Sequence, residues 1–112
     1  MTRALFTASG ETMTGFCVRG HASSASCAGE DIVCAAISSA AYLAANTLTD
    51  RLGTSAAIQV KSGFFSLFVQ EKSDTASLLL WGLSDHLMAL SRQYPQQLQV
   101  KILQSSHSEV RS

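Results

Sequence analysis

Charge is what this sequence has least of. Only 14% of its 112 residues are Asp, Glu, Lys or Arg, while 46% are hydrophobic. That balance excludes a disordered chain and argues for a large buried or self-associating fraction. The length suits one domain with one core. Eight basic side chains offset eight acidic ones, and no segment concentrates Lys or Arg. The electrostatic footprint of a nucleic-acid binder is therefore missing, and no direct nucleic-acid partner is expected. No uninterrupted run of about 18 apolar residues is present, so no membrane span is expected. Met1-Thr2-Arg3 leads into Ala4, Leu5 and Phe6 but turns polar at Thr7, too soon for the apolar core of a signal peptide. The cysteines are few and odd in number, Cys17, Cys27 and Cys34. Free thiols in a reducing, cytoplasmic setting fit this better than a disulfide framework. Repeats, low-complexity blocks and linkers are also lacking.

What is there reads as a compact series of elements. Residues 3–8 alternate as a strand, Ser9-Gly10-Glu11 has turn chemistry, and residues 13–19 form a second strand with Phe16 and Val18 on one face and Gly15, Cys17 and Arg19 on the other. Gly20 to Glu30 is a loop of small and polar residues. Asp31 is placed to cap a helix running to about Arg51 or Leu52, where Gly53 stops it. Its expected apolar side is Ile32, Ala36, Ala40, Leu43, Ala44, Thr47 and Leu48, and small residues on several sides suggest more than one close neighbour. Residues 56–61 and 64–71 read as a hairpin around Lys61-Ser62-Gly63. Asp74 opens a second helix carrying Leu79, Leu83, Leu87 and Leu90, which Pro95, the only proline, ends. Leu98, Val100 and Ile102 alternate in a last strand. The expected fold class is α+β, in the order ββαββαβ: a mixed, largely antiparallel sheet covered by two helices. Residues 1–104 form the single domain, and 105–112 a polar tail expected to fray.

Two segments carry chemistry, Gly20-His21-Ala22 in the loop and Asp31-Ile32-Val33-Cys34-Ala35-Ala36 at the helix start. With Asp31 as N-cap, Cys34 is the third helical residue, where first-turn N–H groups and the macrodipole favour negative charge. A thiol so placed ionises more readily than a free cysteine, whose pKa is about 8.5. A histidine thirteen residues upstream, on a loop that turns back into the helix, can take the thiol proton and return one to a leaving amine. The same residues also read as a small buried hydrophobe and a solvent-facing loop histidine, and the residues alone leave both readings open.

The run Gly20-His21-Ala22, followed by Gly29-x-Asp31-Ile32-Val33-Cys34-Ala35-Ala36-x-Ser38, resembles the signature of the ribosomal-processing cysteine proteases, the Prp family. The resemblance covers the chain in length and element order, and is most specific over residues 20–38. It implies His21 and Cys34 as catalytic dyad, Asp31 and Ser38 in supporting roles, and Gly20, Ala22 and Gly29 in the loop bordering the substrate groove. It further implies endoproteolytic removal of a short N-terminal extension from a large-subunit ribosomal protein, by a homodimer without cofactor or metal. The loop departs from the family pattern: Ser23 to Cys27 contains no aromatic residue and one residue more than usual, which bears on substrate preference. A loop this small and polar is expected to be mobile, with His21 out of reach of Cys34 when no substrate is bound.

Asp31 has a physical task as cap and a second, competing one in orienting His21. Ser38 lies one turn beyond Cys34 on the same helix face. Its hydroxyl either serves the site or bonds back to the carbonyl of Ala35 or Cys34. Zinc is not expected, because His21, Cys27 and Cys34 fit no common ligand spacing. A Cys27–Cys34 disulfide would switch the thiol off. The apolar group Phe64, Phe65 and Phe68 reads as core, as a strand buried on both faces or as part of a dimer interface, and with Leu78 to Leu83, apolar on nearly every face, it favours a homodimer, since a monomer this small struggles to bury all of them. The alternative function is a non-catalytic ribosome-assembly binding protein of the same fold.

Overall fold

The computed structural model describes residues 1–20 and 28–105, of which 28–31 by backbone alone. The strands are β1 (Thr2–Ser9), β2 (Thr12–Arg19), β3 (Ala56–Lys61), β4 (Phe64–Val69) and β5 (Leu98–Gln104); the helices are α1 (Ala28–Asn46) and α2 (Asp74–Gln93). The order is the expected ββαββαβ. The strands lie in one sheet in the order β3-β4-β2-β1-β5, antiparallel throughout except for the parallel β1–β5 pair.

Strict alternation is what makes β1 a half-buried strand: Thr2, Ala4, Phe6 and Ala8 are buried, while Arg3, Leu5, Thr7 and Ser9 face the other way. Both helices pack on the buried face, where Phe6, Phe16, Phe65 and Leu67 meet Val33, Ile37, Ala41 and Leu48 of the first helical segment and Ala76, Leu80 and Leu87 of α2. A chain of aromatic contacts runs through this layer. Phe6 and Phe16 have ring centroids 5.8 Å apart, Phe16 and Phe65 5.6 Å, and Phe65 meets Tyr42 edge-on at 4.9 Å. It ties the centre of the sheet to α1.

A register shift between Thr7 and Ala8 marks a β-bulge against β2. The Met13 N–H donates to Ser77 Oγ at 2.8 Å, both residues being buried, so α2 satisfies a backbone donor beside the bulge. At the same end, the Gln104 amide clamps Gly10, accepting from its N–H and donating to its carbonyl, each at 3.1 Å. Ser73, one residue before α2, caps it by accepting from the Ala76 N–H at 3.1 Å.

Two expectations change. First, α1 begins at Ala28, not at Asp31, because Ala, Gly and Glu continue a helical backbone with no clash to stop it. Asp31 is therefore inside the helix and is not its N-cap. Second, the buried stripe is Val33, Ile37, Ala41, Ala44, Ala45 and Leu48; Ile32 and Leu43 are 59% and 69% exposed. Alanine on nearly every side leaves the helix free to rotate until its bulkier Val33 and Ile37 reach the sheet. The helix ends as expected, through a π-helical turn at Thr47–Arg51 and Gly53 in the left-handed region. By length and composition Ile32–Arg51 would suffice to cross a membrane, although no uninterrupted apolar run flags it. Here one face of that segment lies in the domain core.

Candidate active site

A groove of about 340 Å³ opens at the end of the sheet where β2 finishes and the β3–β4 hairpin turns. Its helix wall is built by Cys34, Ser38 and Tyr42, one turn apart on a single face of α1. The opposite wall is the hairpin, with Val60, Lys61 and Phe64. Tyr42 packs edge-on against Phe65, so the two walls are joined by the core's aromatic chain. Cys34 is half-buried, reachable from the groove yet backed by the helix.

Gly20 forms the rim and is held from two sides. Its N–H donates to the Gly63 carbonyl at 3.0 Å, and its carbonyl accepts from Thr2 Oγ1 at 3.0 Å. Its φ of +84° is left-handed, and a Cβ there would stand 2.9 Å from the Met1 carbonyl oxygen, so only glycine fits without strain. The residue that carries His21 is thus pinned at the groove. His21, Ala22 and Cys27 themselves lie outside the described residues, and so do the expected loop mobility, the His21–Cys34 separation and any Cys27 disulfide.

Of the other residues singled out by the sequence, Ser38 lies in the groove and is exposed. Thr49, Ser84 and Ser91 bond back to helix carbonyls; among the described residues Ser38 does not, so its hydroxyl is available to a ligand. Gly29 is the second residue of α1, not part of the loop. The expected priming of Cys34 by the first helical turn is corrected by the same boundary. Cys34 is the seventh helical residue, and the N–H groups without intrahelical acceptors belong to the first four. Cys17 sits on β2 and faces away from the helices, so the fold separates it from the groove. Among the described residues no three His, Cys, Asp or Glu come together as a metal site.

Sequence reading missed Thr2, Tyr42, Gly63 and Phe64 as parts of this site. Tyr42 had a signal: with Cys34 and Ser38 it completes an i, i+4, i+8 ladder. Thr2 and Gly63 had none, since strand pairing alone brings residues 2, 20 and 63 together.

Residues 1–99 match the family described as cysteine protease Prp. No match emerges among curated protein sequences. Among solved structures, one from Streptococcus mutans is 25% identical with a TM-score of 0.83, covering 94% of this chain and 99% of that one. The essential ribosomal processing protease Prp from S. aureus, in complex with a substrate peptide, is 20% identical with a TM-score of 0.82, covering 91% and 99%. The same protease with a covalently linked product peptide is 22% identical with a TM-score of 0.80 over the same shares. The sequence match over nearly the whole chain, on a fold shared with these structures, means that this chain belongs to the Prp family of cysteine proteases.

Proposed function

We propose that this protease removes a short N-terminal extension from a large-subunit ribosomal protein in the cytoplasm, with Cys34 as nucleophile and His21 as general base and acid. The observation that carries this is the position of Cys34 in the groove wall, with the backbone leading into His21 pinned at the rim by Thr2 and Gly63. The S. aureus relative described with substrate and covalent product peptides supports a peptide as ligand.

The imidazole of His21 takes the proton from Cys34 Sγ, and the thiolate attacks the scissile carbonyl carbon. The tetrahedral intermediate collapses as His21 returns the proton to the leaving amine, which departs as the new N-terminus of the ribosomal protein. A thioester to the extension remains. His21 then deprotonates a water, whose oxygen attacks the thioester carbonyl; Cys34 leaves and is reprotonated, releasing the extension with a free carboxylate. Ser38, one turn along, offers a hydroxyl to the peptide backbone. Asp31, one turn before Cys34 and no longer needed as a cap, is assigned the task of orienting His21.

The test is incubation with an N-terminally extended large-subunit ribosomal protein followed by N-terminal mass analysis. Wild type is expected to shorten it, and Cys34→Ala and His21→Ala to leave it intact; shortening by Cys34→Ala sinks the assignment. Iodoacetamide near neutral pH should label Cys34 faster than Cys17. Equal, slow labelling of both would remove Cys34 from the chemistry.

The functional unit is assigned as a homodimer. In support, α1 and α2 flank an apolar groove of about 780 Å³ that includes Ala40, Leu43, Leu78 and Leu83. Leu43 and Leu78 are 69% and 73% exposed there, more than a small domain of low charge leaves open without a partner.

A further inference from the structure

The five strands contain no Asp or Glu, and their only charged residues are Arg3, Arg19, Lys61 and Lys101. Arg3, Arg19 and Lys101 stand out of phase with the buried positions of their own strands, and Lys61 is paired with Phe64, which is out of phase with the buried Phe65 and Leu67 of β4, so all four project from the sheet face that the described helices leave open. Strand pairing puts three of them in one row. Lys61 is opposite Phe64, Phe64 opposite Arg19, and Arg19 opposite Arg3. Lys101 is opposite Leu5, two residues along β1 from Arg3. At about 4.8 Å between neighbouring strands, the row from Lys61 to Arg3 spans about 14 Å. Half of the chain's eight Lys and Arg are thus gathered on one surface, although they are spread along the sequence.

Like charges directly opposite each other destabilise a strand pair, and Arg3 faces Arg19. Among the described residues no carboxylate pairs with any of the four. An external polyanion would relieve this repulsion. Aromatic rings lie among the cations. Phe64 has the Arg19 guanidinium 5.4 Å and the Lys61 ammonium 5.9 Å from its centroid. Phe68 is opposite Gly15, where an added Cβ would overlap the Phe68 ring and the Leu67 carbonyl oxygen. The ring therefore folds over the glycine and remains 41% exposed, a flat apolar platform on a basic surface.

We propose that the open face of the sheet binds single-stranded nucleic acid, with Arg3, Arg19, Lys61 and Lys101 neutralising phosphates and Phe68 stacking on a base. Phosphates draw on the cations, and base faces draw on aromatic platforms, without need of sequence readout. An acidic protein would use the cations and leave the platform idle. The expectation of no nucleic-acid partner rested on the balanced net charge and the lack of a linear basic run; pleating and strand order assemble the patch from four separate strands. The proposal does not rest on the protease's substrate, and of its four cations only Lys61 also lines the groove.

The test uses a fluorescent 12-nucleotide oligouridylate and the matching oligothymidylate, titrated with the full chain. With about 0.7 counterions released per neutralised phosphate, four contacts predict an affinity loss of about fifty-fold between 50 and 200 mM salt. The double variant Arg3→Gln/Lys101→Gln touches no groove residue and should reduce that loss to about seven-fold, with a melting temperature no lower than wild type, since it relieves the Arg3–Arg19 repulsion. Phe68→Leu should weaken binding about five-fold or more at an unchanged salt slope. The proposal is overturned if neither oligonucleotide binds at 50 mM salt, or if the double variant keeps the wild-type slope. It is also overturned if polyglutamate of equal charge, or phosphatidylserine vesicles, displace oligouridylate as well as unlabelled oligouridylate does.

Discussion

Gly20 carries two constraints at once. Its left-handed φ costs any other residue about 1–2 kcal/mol, and its missing Cβ makes room for the Met1 carbonyl. Gly53 shares only the first constraint, with φ +64° and nothing within 4 Å of an added Cβ. The comparison isolates the role of the rim. Gly53→Ala should lose about 1–2 kcal/mol in denaturant unfolding and keep full cleavage per folded molecule. Gly20→Ala should lose at least as much stability and also displace the start of the His21 loop. A misplacement of about 1 Å near reacting groups costs on the order of 10²-fold in rate, so cleavage by folded Gly20→Ala should fall by that order. Equal cleavage by the two variants would show that the rim does not position the base. At this scale His21, Cys34 and Ser38 were visible in the sequence as residue types in a pattern. Their geometry was not, because Thr2 and Gly63, which hold the rim, are remote from both segments in the chain.

Elements were legible wherever a side-chain period was enforced by bulk. All five strands and α2 fall where alternation, Gly63, Asp74 and Pro95 place them. Helix α1 was harder because alanine satisfies every face, so neither its first residue nor its buried stripe was specified locally; packing against the sheet decided both. The β-bulge was also hidden, since Thr12-Met13-Thr14-Gly15 carries no sign that one backbone donor will be left to a helix. Ser77→Ala removes the acceptor of the buried Met13 N–H and should cost about 1–3 kcal/mol, read from urea unfolding. Ser38→Ala, exposed and without a bond to its own helix, should stay within about 0.5 kcal/mol of wild type. A neutral Ser77→Ala would mean that another acceptor takes over that donor.

The described residues form two layers, with helices on one face of the sheet and none of those residues covering the other. This arrangement leaves two surfaces that a single chain cannot explain: the apolar groove between α1 and α2, and the basic face behind the sheet. For the first, Leu78→Glu introduces a charge at a position 73% exposed, so the monomer should lose no more than about 0.5 kcal/mol. A dimer held by that groove should come apart, and sedimentation at micromolar concentration should move from dimer to monomer mass. A wild-type chain that already sediments as a monomer would remove the dimer.

The sequence by itself determined the class of fold, the order of the seven main elements and the pair of segments to which the proposed chemistry is assigned. It could do so because alternation, helical spacing and turn residues are local, and because a cysteine and histidine in a familiar frame are local as well. Only the tertiary structure decided where α1 starts and which of its faces is buried. It alone placed Cys34 in a groove and Cys17 on the opposite side of the sheet, and gathered the cations of four strands on one surface. Those outcomes depend on register and packing between segments far apart in the chain, where a shift of one residue would turn every side chain of a strand to the other face.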